Sequence, residues 1–447
     1  MRPVAAGTQA RAQYAPRRWW PHLAAAVAAA LWLGAVLTAW PAGAQVKDGF
    51  RQFVETLWPE AQAKGVTRAT FDAAFAGVQP DLSLPDLVLP GKTERDVKGQ
   101  SEFTKTPAEY IDKAYLARLA AEGKALAVEH RATLDRIERE IGVPRQYVLA
   151  IWGRETAYGR HKAPHYAIQA LATQAYLGRR KEMFRGELVY ALKMLQDGIR
   201  TRETMKSSWG GAMGLTQFMP SYYYALAYDL DGDGRKDIWN SIPDALASAA
   251  NQLRDKGCIA DHPWAYEVRL PAGVSCLLEG PPHARAAREW AKLGVKRTRS
   301  EIFPAHLLDA DAFVLTPAGA NGPAFLALEN FMVIKRYNMS DSYAIFVGNL
   351  ADRIAGGGDF EASWRSLVQM SAHGIAEIQD RLKDAGYEIS KVDGKAGMNT
   401  RALIGAYQRT HQLKVDCWPS EDVLKRLRSA AAPQPGRAGQ KSSLGAK

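Results

Sequence analysis

Apolar residues recur along this chain mainly at spacings of three and four, the period of helices with one buried face, and only short stretches alternate as strands do. Residues 45–76 carry a short helical pattern, and the proline-rich stretch 79–91 reads as extended. From Pro107 to Ile141 apolar residues line one face with charges opposite, which predicts a long scaffold helix. The stretch Ala167–Met194 predicts two helices broken near Gly178, and Pro243–Lys256 a further helix closed by Gly257. AYEVRL (265–270) and AFVLTP (312–317) are strand-like, and Phe331–Ala355 reads as helices on either side of Tyr337-Asn338. Gly356, Gly357 and Gly358 then mark a linker. Beyond it, Glu377–Leu382 and Thr400–His411 are helical, separated by the turn Val392-Asp393-Gly394.

One stretch, Gly142–Gly159 (GVPRQYVLAIWGRETAYG), breaks the amphipathic rule. Pro144 suits a first helical turn and Gly159 the residue past a helix end. Between them Tyr147, Ile151 and Glu155 share one stripe, so a carboxyl rides on a face otherwise fit for burial. Burial disfavours the charged form and keeps a proton on the carboxyl near neutral pH, as a general acid requires. The same residue also reads as a structural Glu paired with Arg154 or Arg160, and the pattern by itself leaves both open.

Length and charge narrow the class. At 447 residues the chain predicts one large and one small domain. Arg2, Arg11, Arg17 and Arg18 precede the apolar run Leu23–Ala39, and Pro-Ala-Gly-Ala at 41–44 resembles a cleavage site, so residues 1–44 read as a secretory signal peptide, with an uncleaved anchor as the alternative. No Cys follows Ala44, which argues against a lipoprotein. Losing those four arginines takes the net charge from +11 to +7, a basic exported chain suited to an anionic polymer or surface and poorly to nucleic acid. Export permits disulfides. Cys258 and Cys276 flank a predicted hairpin and are the expected pair, with buried free thiols as the alternative and Cys417 as a packed odd thiol.

Three further motifs carry candidate chemistry. Arg179 and Arg180, at the helix break, suit an anionic substrate or a solvated helix start. SSWGGAMGLTQFMP (207–220) is uncharged and glycine-rich, which permits close backbone approach to a ligand, with Ser208 and Gln217 as hydrogen-bonding groups. DLDGDGRKDIWN (229–240) follows the calcium-loop pattern: Asp229, Asp231 and Asp233, the backbone of Arg235, Asp237 and a glycine at the sixth position. Asn240 replaces the usual closing Glu, and Asp244 is the nearest substitute.

Together WGRETAYG, LGRRKEMFRGEL, SSWGGAMGLTQFMPS, DLDGDGRKDIWN and KRYNMSDSYA, in this order, resemble the lytic murein transglycosylases of the B type across residues 48–358. Residues 372–427 resemble a type-1 peptidoglycan-binding domain. The resemblance implies a mainly α protein: a lysozyme-like α+β catalytic domain (45–358, core about 140–260) with an additional helical subdomain, a linker (359–371), a small three-helix domain (372–428) and a disordered tail (429–447). It also implies cleavage of the β-1,4 bond between N-acetylmuramic acid and N-acetylglucosamine without water, leaving 1,6-anhydromuramyl ends. Glu155 would serve as acid and then base, with Ser208, Gln217, Tyr337, Asn338, Arg179 and Arg180 holding glycan or peptide. Peptidoglycan strands in the periplasm, with other cell-wall enzymes as partners, a structural calcium and no organic cofactor, complete the expectation. Met398, Asn399 and Cys417 depart from the small domain's usual Pro, Ala and Gly. A hydrolytic muramidase and a catalytically idle scaffold are the competing readings.

Overall fold

The computed structural model describes residues 42–93 and 100–429; most of the expected signal peptide and residues 430–447 of the expected tail lie outside them. Among the described residues no helix is long and apolar enough to cross a membrane. The helix Ala42–Glu55 begins beside the expected cleavage site. By compactness the described residues divide between Gln52 and Phe53, and Glu155 belongs to the second unit.

The predicted scaffold helix is three helices. Thr106 and Glu109 form a reciprocal cap on Pro107–Tyr110. Asp112 then accepts from the Tyr115 N–H and starts α1 (Lys113–Glu129), and at His130 the chain turns into α2 (Arg131–Ile141). A capping side chain, Asp112, makes the first division; the second, at His130, has no side-chain cap.

Helix α3 (Arg145–Thr156) comes next, closed at its start by Glu138, which accepts from the Arg145 N–H at 2.8 Å. Its residues Tyr147–Gly153 are all buried, because α1, α2, the later α6 (Ile242–Asp255) and α8 (Asp341–Ile354) surround it. At about 1.5–3 kcal/mol for each fully buried large side chain, this central position is what holds α3 in place. The stripe expected to face inward is therefore most of the circumference, and polar surface returns only at Arg154 and Glu155.

The two helices expected on either side of Gly178 are α4 (Ala167–Leu177) and α5 (Lys181–Gln196), which pack together, and the short helices Trp58–Ala63 and Arg68–Phe75 pack against α5 as an additional helical layer. A two-stranded antiparallel ladder, β1 (His165–Tyr166) with β2 (Lys206–Ser207), delivers the chain to Ser208. A second antiparallel sheet has the order β4-β6-β7-β3-β5, with β3 Ala265–Arg269, β4 Arg285–Ala286, β5 Lys296–Arg297, β6 Asp311–Leu315 and β7 Ala324–Ala327. In register, Ala327 faces both Ala265 and Phe313. Helix α7 (Glu329–Lys335) leaves this sheet and a turn at Tyr337-Asn338 leads into α8.

The C-terminal module is three helices, α9 (Ala372–Asp384), α10 (Met398–Thr410) and α11 (Glu421–Ser429), around a core of its own that includes Ile378, Ile404, Tyr407 and Leu424. The expected linker is not a free tether. Phe360 stacks edge-on against Phe325 at 4.9 Å, Glu267 accepts from the N–H groups of Glu361 and Ala362, and Trp418 donates to the Val368 carbonyl.

The expected Cys258–Cys276 bridge is corrected: Cys276 pairs with Cys417, 141 residues later, and Cys258 is the free thiol. Cys258 follows the glycine that ends α6, with its N–H bound to the Leu253 carbonyl, so it packs against the main core. Cys276 instead opens a single turn (Cys276–Leu278) that lies against α10 of the module. Cys417 has φ +57°, a conformation that favours glycine, which explains why Gly is usual at this position.

Candidate active site

Glu155 is the second-last residue of α3, and the chain behind it leaves the helix abruptly. Ala157, Tyr158 and Gly159 have φ of 48°, 58° and 85°, three left-handed residues in succession. This reversal folds Tyr158 back over its own helix, where its ring stands edge-on to Trp152 and its hydroxyl donates to the Leu119 carbonyl at 2.9 Å. A side chain at Gly153 would lie 2.7 Å from that ring, which is why glycine sits inside the helix there. Thr156 accepts from the Gly159 N–H and donates to the Leu215 carbonyl at 2.7 Å, tying the acid's helix to the glycine-rich loop.

That loop is a tight hairpin. Met213 and Phe218 exchange both backbone hydrogen bonds at 2.8 Å, Gln217 occupies a left-handed φ of 57°, and its amide donates to the Gly214 carbonyl. Leu215 is bound in turn to the Ile238 carbonyl at 2.9 Å. The Ser208 hydroxyl accepts from the Ala212 N–H at 3.2 Å. Tyr337 donates to the Thr216 carbonyl at 2.6 Å, so the loop is gripped by Thr156 on one side and Tyr337 on the other. Asn338 stands next to it, half-buried in the turn between α7 and α8.

The group that touches the acid is one that sequence reasoning passed over. Tyr343, in the first turn of α8, donates to Glu155 Oε1 at 2.5 Å. It lies within the KRYNMSDSYA motif, where the resemblance implies a role for Tyr337 instead. The signal was available: Tyr343 falls on the buried side of a helix beginning at a Ser cap, Ser340, which accepts from the Tyr343 N–H.

Neither structural pairing of Glu155 occurs. Arg154 donates to the Tyr110 hydroxyl and lies over the rings of Tyr110 and Phe346 at 5.0 Å, and Arg160 pairs with Glu122. Among the described residues, the one hydrogen bond to the Glu155 carboxyl comes from a neutral phenol. Burial raises its pKa above the ordinary carboxylate value; the Tyr343 hydrogen bond and the Arg154 charge work downward, and the Glu102 charge upward. Tyr343 is itself held well above its usual pKa by burial and by Glu155, so it remains a donor.

Arg179 and Arg180 are not brought to the acid. Both pair with the buried Asp86, and they line a separate cavity of about 290 Å³ with Lys391, Asp393 and Lys395 of the C-terminal module.

In the calcium-pattern loop, carboxylate oxygens of Asp229, Asp231 and Asp244 converge within 4.8 Å. Asp244, fully buried at the start of α6, accepts from the N–H groups of Leu230, Asp231 and Asp237. Asp233 instead caps the Arg235 N–H, and Asp237 caps Trp239 and Asn240. The donor set is thus three carboxylates, which suits a hard divalent cation; Asp244, the nearest substitute for the closing Glu, is one of the three, and the Asp233 carboxylate lies outside the convergence.

Residues 49–352 match the family described as the transglycosylase SLT domain. The chain belongs to the transglycosylase SLT domain family. Residues 371–427 match a second family, the peptidoglycan binding domain. SltB3 of Pseudomonas aeruginosa, solved in complex with NAG-anhNAM-pentapeptide, is 39% identical with a TM-score of 0.75, over 85% of this chain and 99% of that one. SltB1 of the same organism is 27% identical with a TM-score of 0.56, over 68% and 98%. Membrane-bound lytic murein transglycosylase B of Escherichia coli (strain K12) is 32% identical over 233 residues, 51% of this chain and 61% of that relative. The SLT domain is therefore the mainly α body with its small sheet, and the helical peptidoglycan-binding module comes after it.

Proposed function

We propose that this protein is a lytic transglycosylase that acts on peptidoglycan, breaking the β-1,4 bond between N-acetylmuramic acid and N-acetylglucosamine and closing a 1,6-anhydro ring on the muramyl residue. The observation that carries this is the state of Glu155: a half-buried carboxyl with raised pKa, a single phenolic donor and no ion pair among the described residues. Such a group keeps its proton to higher pH than an ordinary carboxyl, as a general acid needs. With Tyr343 on Oε1, the other oxygen faces the bond to be broken. It delivers its proton to the glycosidic oxygen as the muramyl C1–O bond breaks, so the N-acetylglucosamine leaves as an alcohol. The carboxylate left behind is stabilised by Tyr343 and Arg154 and takes the proton of the muramyl C6 hydroxyl as that oxygen bonds to C1. No water enters the balance. A C6 hydroxyl on the same sugar has an effective concentration that bulk water does not match.

In this reading Ser208, Gln217, Tyr337 and Asn338 hold the glycan around the acid, because their loop and turn are bound to the two helices that carry Glu155 and Tyr343. Arg179 and Arg180 contribute a basic surface toward the module for anionic parts of the polymer. A divalent cation, calcium by the chemistry of its oxygen donors, would be held by Asp229, Asp231 and Asp244 and would brace the loop ahead of α6. The protein acts outside the cytoplasm, exported by residues 1–44.

One observation favours a second reading. Glu102 lies close enough to Glu155 to raise it electrostatically, so a muramidase would have Glu102 as the carboxylate that activates water or attacks the sugar. Mass analysis of fragments released from purified sacculi separates the two. Products one water lighter than hydrolysis products, without new reducing ends, are expected, and Glu102→Gln should leave that product class unchanged. Reducible muramyl ends appearing in step with cleavage and lost in Glu102→Gln would establish the muramidase.

A further inference from the structure

The C-terminal module reaches into the catalytic body through one side chain. Arg401, on α10, is only 3% exposed, and its guanidinium lies between two carboxylates of the body. It binds Glu279 with two nitrogens, Nε at 3.0 Å and Nη2 at 2.6 Å, and Nη2 also reaches Asp341 at 3.1 Å. Its remaining nitrogen donates to the Ala396 carbonyl of its own module at 2.7 Å. Asp341 is the first residue of α8, and its second oxygen is paired with Lys335, the last residue of α7, at 2.7 Å. The Lys335–Asp341 pair closes the turn that carries Tyr337 and Asn338, Arg401 holds the Asp341 end of it, and two residues after Asp341 comes Tyr343 with its hydroxyl on Glu155.

The contact is built, not incidental. Glu279 is fully buried and also accepts from the Thr316 N–H, so its oxygens have no solvent to turn to. Met398, three residues before Arg401, is packed into the main core. The bridge Cys276–Cys417 and the hydrogen bond from Ala320 N–H to the Asp416 carbonyl hold the module from the far side. Removing one member of a buried charge group strands the others, so the group enforces one geometry more than it adds stability.

We propose that Arg401 of the C-terminal module is a positioning residue for Glu155: through Asp341 it sets the first turn of α8 and so the place of the Tyr343 hydroxyl on the acid. The inference rests on the proposed role of Glu155, and extends it by making a module built to hold the polymer part of the catalytic geometry. Misplacing a positioned group by about an ångström costs on the order of a hundredfold in rate.

The groups facing Glu155 are Tyr343, Tyr337, Arg154, Tyr110 and Glu102, and those facing Asp341 are Lys335, Arg401 and Glu279. Of the first set, Tyr343 is the hydrogen-bond donor, and its loss removes a downward influence on the acid's pKa. Arg401→Met in the full chain, with the Cys276–Cys417 bridge intact, should therefore lower kcat by about tenfold or more with KM within about twofold. It should also move the titration of Glu155 to higher pH. That titration is followed by carboxyl carbon NMR, assigned by its loss in Glu155→Gln, and needs no substrate. Tyr343→Phe should shift it the same way, the double variant no further than Tyr343→Phe, and Arg401→Lys should recover part of the wild-type value. A wild-type titration in Arg401→Met overturns the proposal, even if the melting temperature falls. Should that variant not fold, Asp341→Asn, nearly the same shape and leaving Arg401 on Glu279, is measured in its place, and an unmoved titration there is equally fatal. If the protein proves to hydrolyse the glycan, or not to cleave it, the titration still decides the coupling.

Discussion

Opening the Cys276–Cys417 bridge, with reductant or with Cys417→Ser, puts a number on how the two modules are joined. Bridging positions 141 residues apart removes about 5 kcal/mol of chain entropy from the unfolded state in the loop-closure treatment. If residues 53–447 melt as one unit, an unfolding entropy of about 2 cal/mol/K per residue over roughly 395 residues turns this into a fall of about 6 °C. If the module melts alone, the constrained loop is the stretch of about 45 residues from the anchored linker to Cys417, worth about 4 kcal/mol. Spread over only about 58 residues of unfolding entropy, that loss lowers the module's own transition by about 30 °C. Calorimetry with and without reductant separates these cases: one peak moved slightly, or an early second peak. Thiol titration of the denatured chain should find one free thiol before reduction and three after. Melting that is unchanged to within a degree, with three thiols shown to be free, would refute the view that the bridge constrains the unfolded chain.

Glu155→Gln should lower turnover by about 10²–10⁴-fold while leaving melting and sacculus binding intact, since the amide keeps the shape but has no acidic proton; near-normal kcat would remove Glu155 from its role. Wild-type activity should fall as pH rises through the raised pKa of Glu155, because the protonated form is the acid. Saturating calcium at about 100 times its Kd should add about 2.7 kcal/mol to stability, and Asp231→Asn should shrink the effect; melting indifferent to calcium and to chelator would make residues 229–244 a plain turn. Asp352, half-buried and accepting from the Trp264 indole N–H at 2.8 Å, is pushed up to about 7 from 3.8 by desolvation of its carboxyl. Its native form holds a proton that the unfolded chain releases near pH 4, so its contribution to stability is full below pH 4 and is lost as pH rises through 7. Asp352→Asn should therefore gain up to about 2.6 kcal/mol on wild type between pH 5 and pH 8 in urea titrations; an equal difference at the two pH values would contradict the assignment.

Much of this site was legible because it depends on local chemistry. A carboxyl in an apolar helix, a glycine-rich hairpin and an Asp-rich loop each announce themselves within a dozen residues, and the structure brings the first two together through Thr156 and Tyr337. What sequence reasoning missed depends on distance along the chain. Tyr343 meets Glu155 across 188 residues, Arg401 meets Glu279 across 122, and no spacing rule connects such pairs. Cys258 and Cys276 are the pair that proximity in sequence suggests, and Cys417, 141 residues beyond Cys276, is the one that space supplies. Departures from the family pattern were a better guide than they seemed: Met398 and Cys417 are both points where the module is fastened to the body.

The wide spacing of the bridged cysteines also has a consequence for biosynthesis. A chain made from its N-terminus presents Cys258 and Cys276 long before Cys417 exists, so under oxidising conditions the wrong pair, only 18 positions apart, meets first. Once the surrounding helices have folded, burial pushes the Cys258 thiol up to about 12, so packing before Cys417 arrives would leave almost no thiolate to attack. The catalytic half must then fold ahead of its own cross-link. Refolding from the reduced state should accordingly accumulate a Cys258–Cys276 species when oxidant is supplied before folding, and Cys258→Ser should abolish that species and raise the yield of native protein.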